Sequence, residues 1–189
     1  MARSSGNAAP REDPGWRKAV LAQLFPIGSR KTQRELDGLT VTRVLFVALV
    51  QAAFAGGLIL VIITRTMGEL DTFLAAVLLV LGAIGVATGL MLRGKPLATD
   101  NAVALAQSFR KRFFVGFAAS EVPMLAGLVI GMIRQELWPY LITLPFFVAG
   151  MIVSAPSRSN IDRAQTAIAL SGSGLLLRDE LMSTQPPPS

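Results

Sequence analysis

The sequence contains no cysteine and no histidine. Without cysteine there is no disulfide, thiolate metal ligand or thiol nucleophile, and without histidine the commonest general base and transition-metal ligand is missing. No GxSxG, HExxH or P-loop motif occurs, and no pair of acidic residues falls inside an apolar run. The sequence therefore predicts a protein that is not an enzyme, with no catalytic residue, no metal site and no cofactor.

Charged residues are also scarce. They make up 16% of the 189 residues, whereas 52% are hydrophobic, and the mean hydropathy is +0.53. Soluble domains carry more charge than this, and the apolar residues here are gathered into long runs, which is typical of membrane proteins. The net charge of +6 is also typical of membrane proteins, because Lys and Arg accumulate in their cytoplasmic loops. We therefore expect the lipid bilayer, and no nucleic acid, as a partner.

Four apolar runs approach the length of about 20 residues that a spanning helix needs. They cover residues 44–64, 72–92, 113–133 and 137–154. The fourth run is shorter and contains Pro139 and Pro145, so a bend is expected there. The predicted fold is all-α, a polytopic membrane protein with four transmembrane helices in a small bundle over residues 42–154. Residues 1–41 would form a cytoplasmic segment with short amphipathic helices, and residues 155–189 a cytoplasmic tail with a disordered end.

The positive charges predict the direction of the spans. Sixteen Lys and Arg residues lie in the N-terminal segment, the middle loop and the tail, whereas the two short turns contain only Arg65 and Arg134. This bias predicts that both termini are cytoplasmic. The first apolar run begins only near Val44, too late for a secretory signal peptide. Usage rich in alanine, glycine and arginine indicates a bacterium, so the predicted location is the bacterial cell (inner) membrane.

The N-terminal stretch "PGWRKAVLAQLFP" predicts a short amphipathic helix. Its apolar residues recur at helical spacing and are Trp16, Val20, Leu21, Leu24 and Phe25. Two placements fit this pattern: the helix lies on the inner leaflet of the membrane, or it packs on the loops of the bundle.

The middle loop is longer than a turn needs. Thr99 or Asp100 is suited to cap a helix that runs directly into the third span. That helix would carry three consecutive cations, Arg110, Lys111 and Arg112, at the level of the lipid headgroups.

Small residues recur at one-turn spacing on the second and third spans. The predicted helix-packing glycines are Gly82, Gly85, Gly89, Gly127 and Gly131. Such residues allow helix backbones to approach closely in lipid. They would serve packing within one chain or the assembly of a homo-oligomer.

A single acidic residue, Glu121, falls near the middle of the third span. A charged carboxylate at that depth costs at least about 2.5–3.5 kcal/mol, and Pro123 frees a backbone carbonyl near it. Glu121 is either a protonated side chain that hydrogen-bonds across the bundle or a carboxylate that exchanges protons or cations. The candidate ion-binding residues are Glu121, Ser120, Pro123, Gln51 and Thr88.

The stretches "GAIGVATG" and "SEVPMLAGLVIG" resemble the two helices of rotor subunit c of rotary ATP synthases. In that family a glycine-rich helix pairs with a helix that bears the ion-carrying acid, and the resemblance implies this role for Glu121. The match covers about residues 79–132, and "RGKP" stands where the family has an Arg-Gln-Pro loop signature. The whole chain is also similar to four-span bacterial membrane proteins of unknown function that have a c-like hairpin and a P-S/T-R tail, here Pro156–Arg158.

Two functions fit these features. The first is an accessory or assembly subunit of a larger membrane complex, which fits the small size, the packing motifs and the basic flanks. The alternative is proton or cation transfer through Glu121 in a subunit-c-like hairpin.

Overall fold

The computed structural model describes residues 15–24, 37–64 and 66–182, and within these ranges the chain is helical and contains no strand. The all-α prediction is therefore confirmed for this part of the chain. The helices are α1 (Arg17–Leu24), α2 (Gly38–Ile63), α3 (Thr72–Gly94), α4 (Ala102–Arg134), α5 (Trp138–Ser154), α6 (Arg158–Leu170) and α7 (Leu177–Met182).

In the described part of the chain, three helices, α2, α3 and α4, are long and apolar enough to cross a membrane. Helix α5 has only 17 residues. It meets the same criterion only together with α6, and the two helices are bent by 50° relative to each other. The membrane character expected from the sequence thus agrees with the fold, while the number of four spans stays a prediction.

The helix starts are fixed by side-chain caps. Asp37, Asp71 and Asn101 accept hydrogen bonds from the backbone N–H three residues further on, at the starts of α2, α3 and α4. The middle-loop helix does run without a break into the third span, as predicted. Its cap was predicted wrongly, because Asn101 and not Thr99 or Asp100 supplies the acceptor.

Helices α3, α4 and α5 form a close-packed unit. A Cβ atom at Gly85 of α3 would clash with the carbonyl oxygen of Ala119 in α4, and one at Gly127 of α4 would lie 2.5 Å from the carbonyl oxygen of Pro139 in α5. The backbones therefore touch, as small residues allow in apolar surroundings. Helix α2 packs beside this unit mainly through side chains, such as Phe46, whose ring lies 5.9 Å from that of Phe117.

The two ends of the bundle differ in charge. We call the end where α2 and α4 begin and α3 and α5 finish the basic end. Among the described residues every Lys, and every Arg except Arg134, lies there. At the opposite end Arg134 pairs with Asp71 at 3.2 Å and with Glu136 at 2.9 Å. The division of charge that predicted the orientation is therefore present in the fold.

An apolar core closes the basic end. It joins the first turns of α2 and α4 to α6 and α7 through Leu39, Leu105, Phe109, Ile161 and Leu181. Residues 155–189 were predicted to form a cytoplasmic tail with a disordered end. Two helices of this region, α6 and α7, pack onto the bundle.

Helix α1 also packs onto the bundle. Ala19 is fully buried, and the ring of Trp16 lies 5.5 Å from that of Phe46 in α2. Val20 and Leu21 remain exposed, so the face that the spacing predicted to be apolar is only partly covered. The side chain of Leu24 and all of Phe25 fall outside the described part of the chain.

Candidate functional site

Glu121 lies near the middle of α4, about 20 Å from the end of the helix at Arg134. Its side chain is half-buried. It is one turn from Phe117, whose ring packs against Phe46 of α2 and Phe147 of α5. In the part of the chain that the structure describes, no residue forms a hydrogen bond or ion pair with Glu121. Pro123 is buried within the same helix.

Ser120 precedes Glu121 but faces different neighbours. It is 1% exposed, and its hydroxyl donates to the carbonyl of Phe117 at 2.8 Å. Thr88 behaves in the same way, because its hydroxyl donates to the carbonyl of Ile84 at 2.8 Å. Both hydroxyl groups are therefore satisfied within their own helices.

Gln51 points away from the bundle. The side of α2 that packs inward carries Ala53, Gly57 and Leu60, which are buried, whereas Gln51 is exposed. It bonds to no described residue. The structure thus does not bring the predicted ion-binding residues into one cluster.

Gln51 and Glu121 share a depth nevertheless. Counted from the end of α2 at Ile63, Gln51 lies about 18 Å along its helix. This matches the distance of about 20 Å for Glu121 and places both groups well inside an apolar layer about 30 Å thick. Polar residues at such depth normally pair or face a bundle interior, but here the described part of the chain provides neither with a partner.

The predicted packing glycines are all buried between helices. Their neighbours across the interface are Phe146 for Gly82, Ala119 for Gly85, Val153 for Gly89, Pro139 for Gly127 and Leu60 for Gly131. In this structure they serve contacts within one chain.

A further pair of small-residue motifs was missed. Gly116 and Ser120 are one turn apart on α4, and Gly150 and Ser154 are one turn apart on the antiparallel α5. Gly116 faces Ser154, and Gly150 faces Ser120. The two GxxxS motifs therefore interlock, with each serine over the glycine of the other helix. The G-x-x-x-S spacing is visible in the sequence and, like G-x-x-x-G, it places two small residues on one side of a helix.

The three predicted headgroup cations have separate environments. The guanidinium of Arg110 lies against the backbone of Gly38, and its Nε atom is buried with no hydrogen-bond partner among the described residues. Lys111 is exposed, and Arg112 is half-buried and donates from Nη2 to the carbonyl of Lys95. Of the three, only Lys111 is fully exposed, and their placement at the lipid headgroups stays a prediction.

Arg43 has a role that the sequence did not indicate. It is 0% exposed. Its Nε atom donates to the carbonyl of Pro156 at 3.2 Å, and its Nη1 atom donates to the carbonyl of Gly15 at 3.1 Å. Its guanidinium carbon lies 5.2 Å from the centre of the Trp16 ring. Arg43 thus joins α1, α2 and the α5–α6 connection, although its position had suggested only a topological charge.

Comparison of the chain with known protein families, with curated proteins and with solved structures found no match. The resemblance to rotor subunit c therefore stays a prediction. In the described ranges no group of acidic side chains is placed to hold a metal ion. The features that bear on function are the polar pair Gln51 and Glu121 and the cationic groups of the basic end.

Proposed function

We propose that the protein is a non-enzymatic integral membrane protein that acts as an accessory or assembly subunit of a larger membrane complex. The observation that carries this proposal is the pair Gln51 and Glu121, two polar groups at one depth that lack partners among the described residues. We further propose the bacterial cell membrane as its location, with the basic end in the cytoplasm.

The energetics favour a partner helix at this position. A charged carboxylate at the centre of a membrane helix costs about 2.5–3.5 kcal/mol. A hydrogen bond between membrane helices contributes about 0.6–2 kcal/mol of stability. Polar side chains of a partner helix would therefore stabilise both Gln51 and Glu121.

Helix α2 offers the surface for such a partner. Only 17% of its most apolar stretch is buried, compared with 44% in α4. Its exposed side carries Gln51 together with the large apolar residues Phe54, Leu58 and Ile62. We infer that a transmembrane helix of the complex packs along this side of α2 and reaches Glu121 at its edge.

Site-specific photocrosslinking in native membranes tests the proposal. A photoreactive amino acid replaces Leu58 on the exposed side of α2 or, as a matched control, Val80 on the exposed side of α3. We expect the Leu58 probe to yield one defined protein adduct that is lost in the background of Gln51→Leu with Glu121→Gln, while the Val80 probe yields none. Adducts that persist in the double variant, or that form equally at both positions, would contradict the proposal.

Proton or cation transfer through Glu121 is the second candidate function. It is supported by the position of a half-buried carboxyl at mid-membrane depth, with no described cation bonded to it. This function predicts ion flux from the purified protein alone in proteoliposomes, and the flux should disappear in Glu121→Gln. Equal flux from the variant and the wild type would rule it out.

A further inference from the structure

A cavity of about 350 Å³ opens at the basic end. It lies between the last turns of α3 and α5, the first half of α4, and α6. Four cationic residues line it: Arg93, Lys95, Arg112 and Arg163. None of the described residues that line it is Asp or Glu. The cavity therefore concentrates positive charge from three helices and one loop.

Two of these cations are held in place inside the cavity. Arg93 and Arg112 are half-buried. Arg93 donates from Nη2 to the side-chain oxygen of Asn160, and Arg112 donates from Nη2 to the carbonyl of Lys95. These bonds are to neutral acceptors, and no described carboxylate forms an ion pair with either residue. Partly buried charges without a counter-charge are costly, so the arrangement favours the binding of an anion.

The cavity also has an apolar part. One helical turn from Arg93 along α3 lies Gly89, and one turn from Arg112 along α4 lies Gly116. Phe113 completes this side of the lining. A cationic rim next to an apolar depth between membrane-length helices has the same order of polarity as a phospholipid, whose phosphate would lie at the rim.

We propose that this cavity binds the phosphate group of an anionic molecule, with Arg93 and Arg112 as the principal ligands and Lys95 and Arg163 at the rim. Guanidinium groups suit this role because their planar N–H pairs match phosphate oxygens. The phosphate has two sources, the headgroup of an anionic phospholipid or a water-soluble phosphate ester. The proposal does not depend on Gln51 or Glu121.

Native mass spectrometry of the delipidated full-length chain in detergent tests the site. Phosphatidylglycerol and phosphatidylcholine are titrated separately, and water-soluble glycerol phosphate is titrated in a third arm. The variants are Arg112→Gln and, because Arg112 also bonds within the fold, Lys95→Gln at an exposed side chain. The matched control is Lys111→Gln, which removes the same charge next to Arg112 but lies outside the cavity.

We expect one phosphate compound bound per wild-type chain, with phosphatidylcholine weaker than phosphatidylglycerol. Each cavity variant should bind roughly fivefold more weakly, and Lys111→Gln should bind as the wild type does. Binding of glycerol phosphate at concentrations similar to the lipid would identify a soluble source, and binding of phosphatidylglycerol alone would identify a lipid. Equal binding of both lipids, an equal loss in Lys111→Gln, or no binding in any arm would overturn the proposal.

Discussion

Replacing Arg43 with methionine should destabilise the attachment of α1 and of the α5–α6 connection. The substitution removes the charge-assisted hydrogen bonds to Gly15 and Pro156, each contributing about 1.5 kcal/mol or more. It also removes the cation–π contact with Trp16, which contributes about 1 kcal/mol. Methionine fills similar space, so the expected loss is about 4 kcal/mol, equivalent to a fall of roughly 10 °C in Tm.

Tryptophan fluorescence can follow the detachment of α1. The chain has two tryptophans: Trp16 contacts Arg43, and Trp138 lies at the opposite end of the bundle. A Trp138→Phe background leaves Trp16 as the single fluorescent reporter, while circular dichroism follows the helices. Arg17→Met is the matched control, since it removes a neighbouring exposed charge and should change stability by no more than about 0.5 kcal/mol. If Arg43→Met lowers Tm no more than Arg17→Met does and leaves the Trp16 emission unchanged, Arg43 does not hold α1 and the α5–α6 connection in place.

Three further predictions concern packing, pH and orientation. Gly85→Ala should cost about 1–3 kcal/mol, because the new Cβ meets a backbone carbonyl, whereas Gly94→Ala, with open space around it, should cost nothing; thermal unfolding in detergent compares them. The hydrogen bond from the backbone N–H of Leu74 lowers the pKa of the Asp71 carboxyl. The ionised carboxylate therefore stabilises the fold fully above the usual aspartate pKa of about 3.9, and this stabilisation is lost as the pH falls through the lowered pKa. Asp71→Asn should flatten this acid-side loss of Tm, and parallel curves would contradict the assignment. In the cysteine-free chain, an impermeant maleimide added to intact cells should label Met67→Cys but not Gln107→Cys, and the reverse pattern would invert the proposed orientation.

The sequence predicted the apolar helices well, because their length and composition are properties of single segments. The second run was expected over 72–92, and α3 covers Thr72–Gly94. Helix α2, however, begins at Gly38 and not near Val44. Its first turns are polar, and they are helical because Asp37 caps them and because Leu39 is buried in the core at the basic end, a contact with distant parts of the chain.

The site was less predictable, since its geometry depends on how each helix is rotated. The depth of Glu121 follows from counting residues, but the sequence does not say which neighbour each side chain faces. Ser120 is adjacent to Glu121 and yet turns towards Gly150, and Gln51 turns outward. The role of Arg43 was hidden for the same reason, because its partners Gly15 and Pro156 are remote in sequence.

The interlocked GxxxS motifs of α4 and α5 have a consequence for the history of the protein. The side chain of Ser120 occupies the space that a Cβ at position 150 would need, and Ser154 does the same at position 116. A larger residue at 150 is therefore acceptable only after the residue at 120 has become smaller. Among evolutionary relatives we expect positions 120 and 150 to change together, and positions 116 and 154 likewise, so that each pair keeps one small partner.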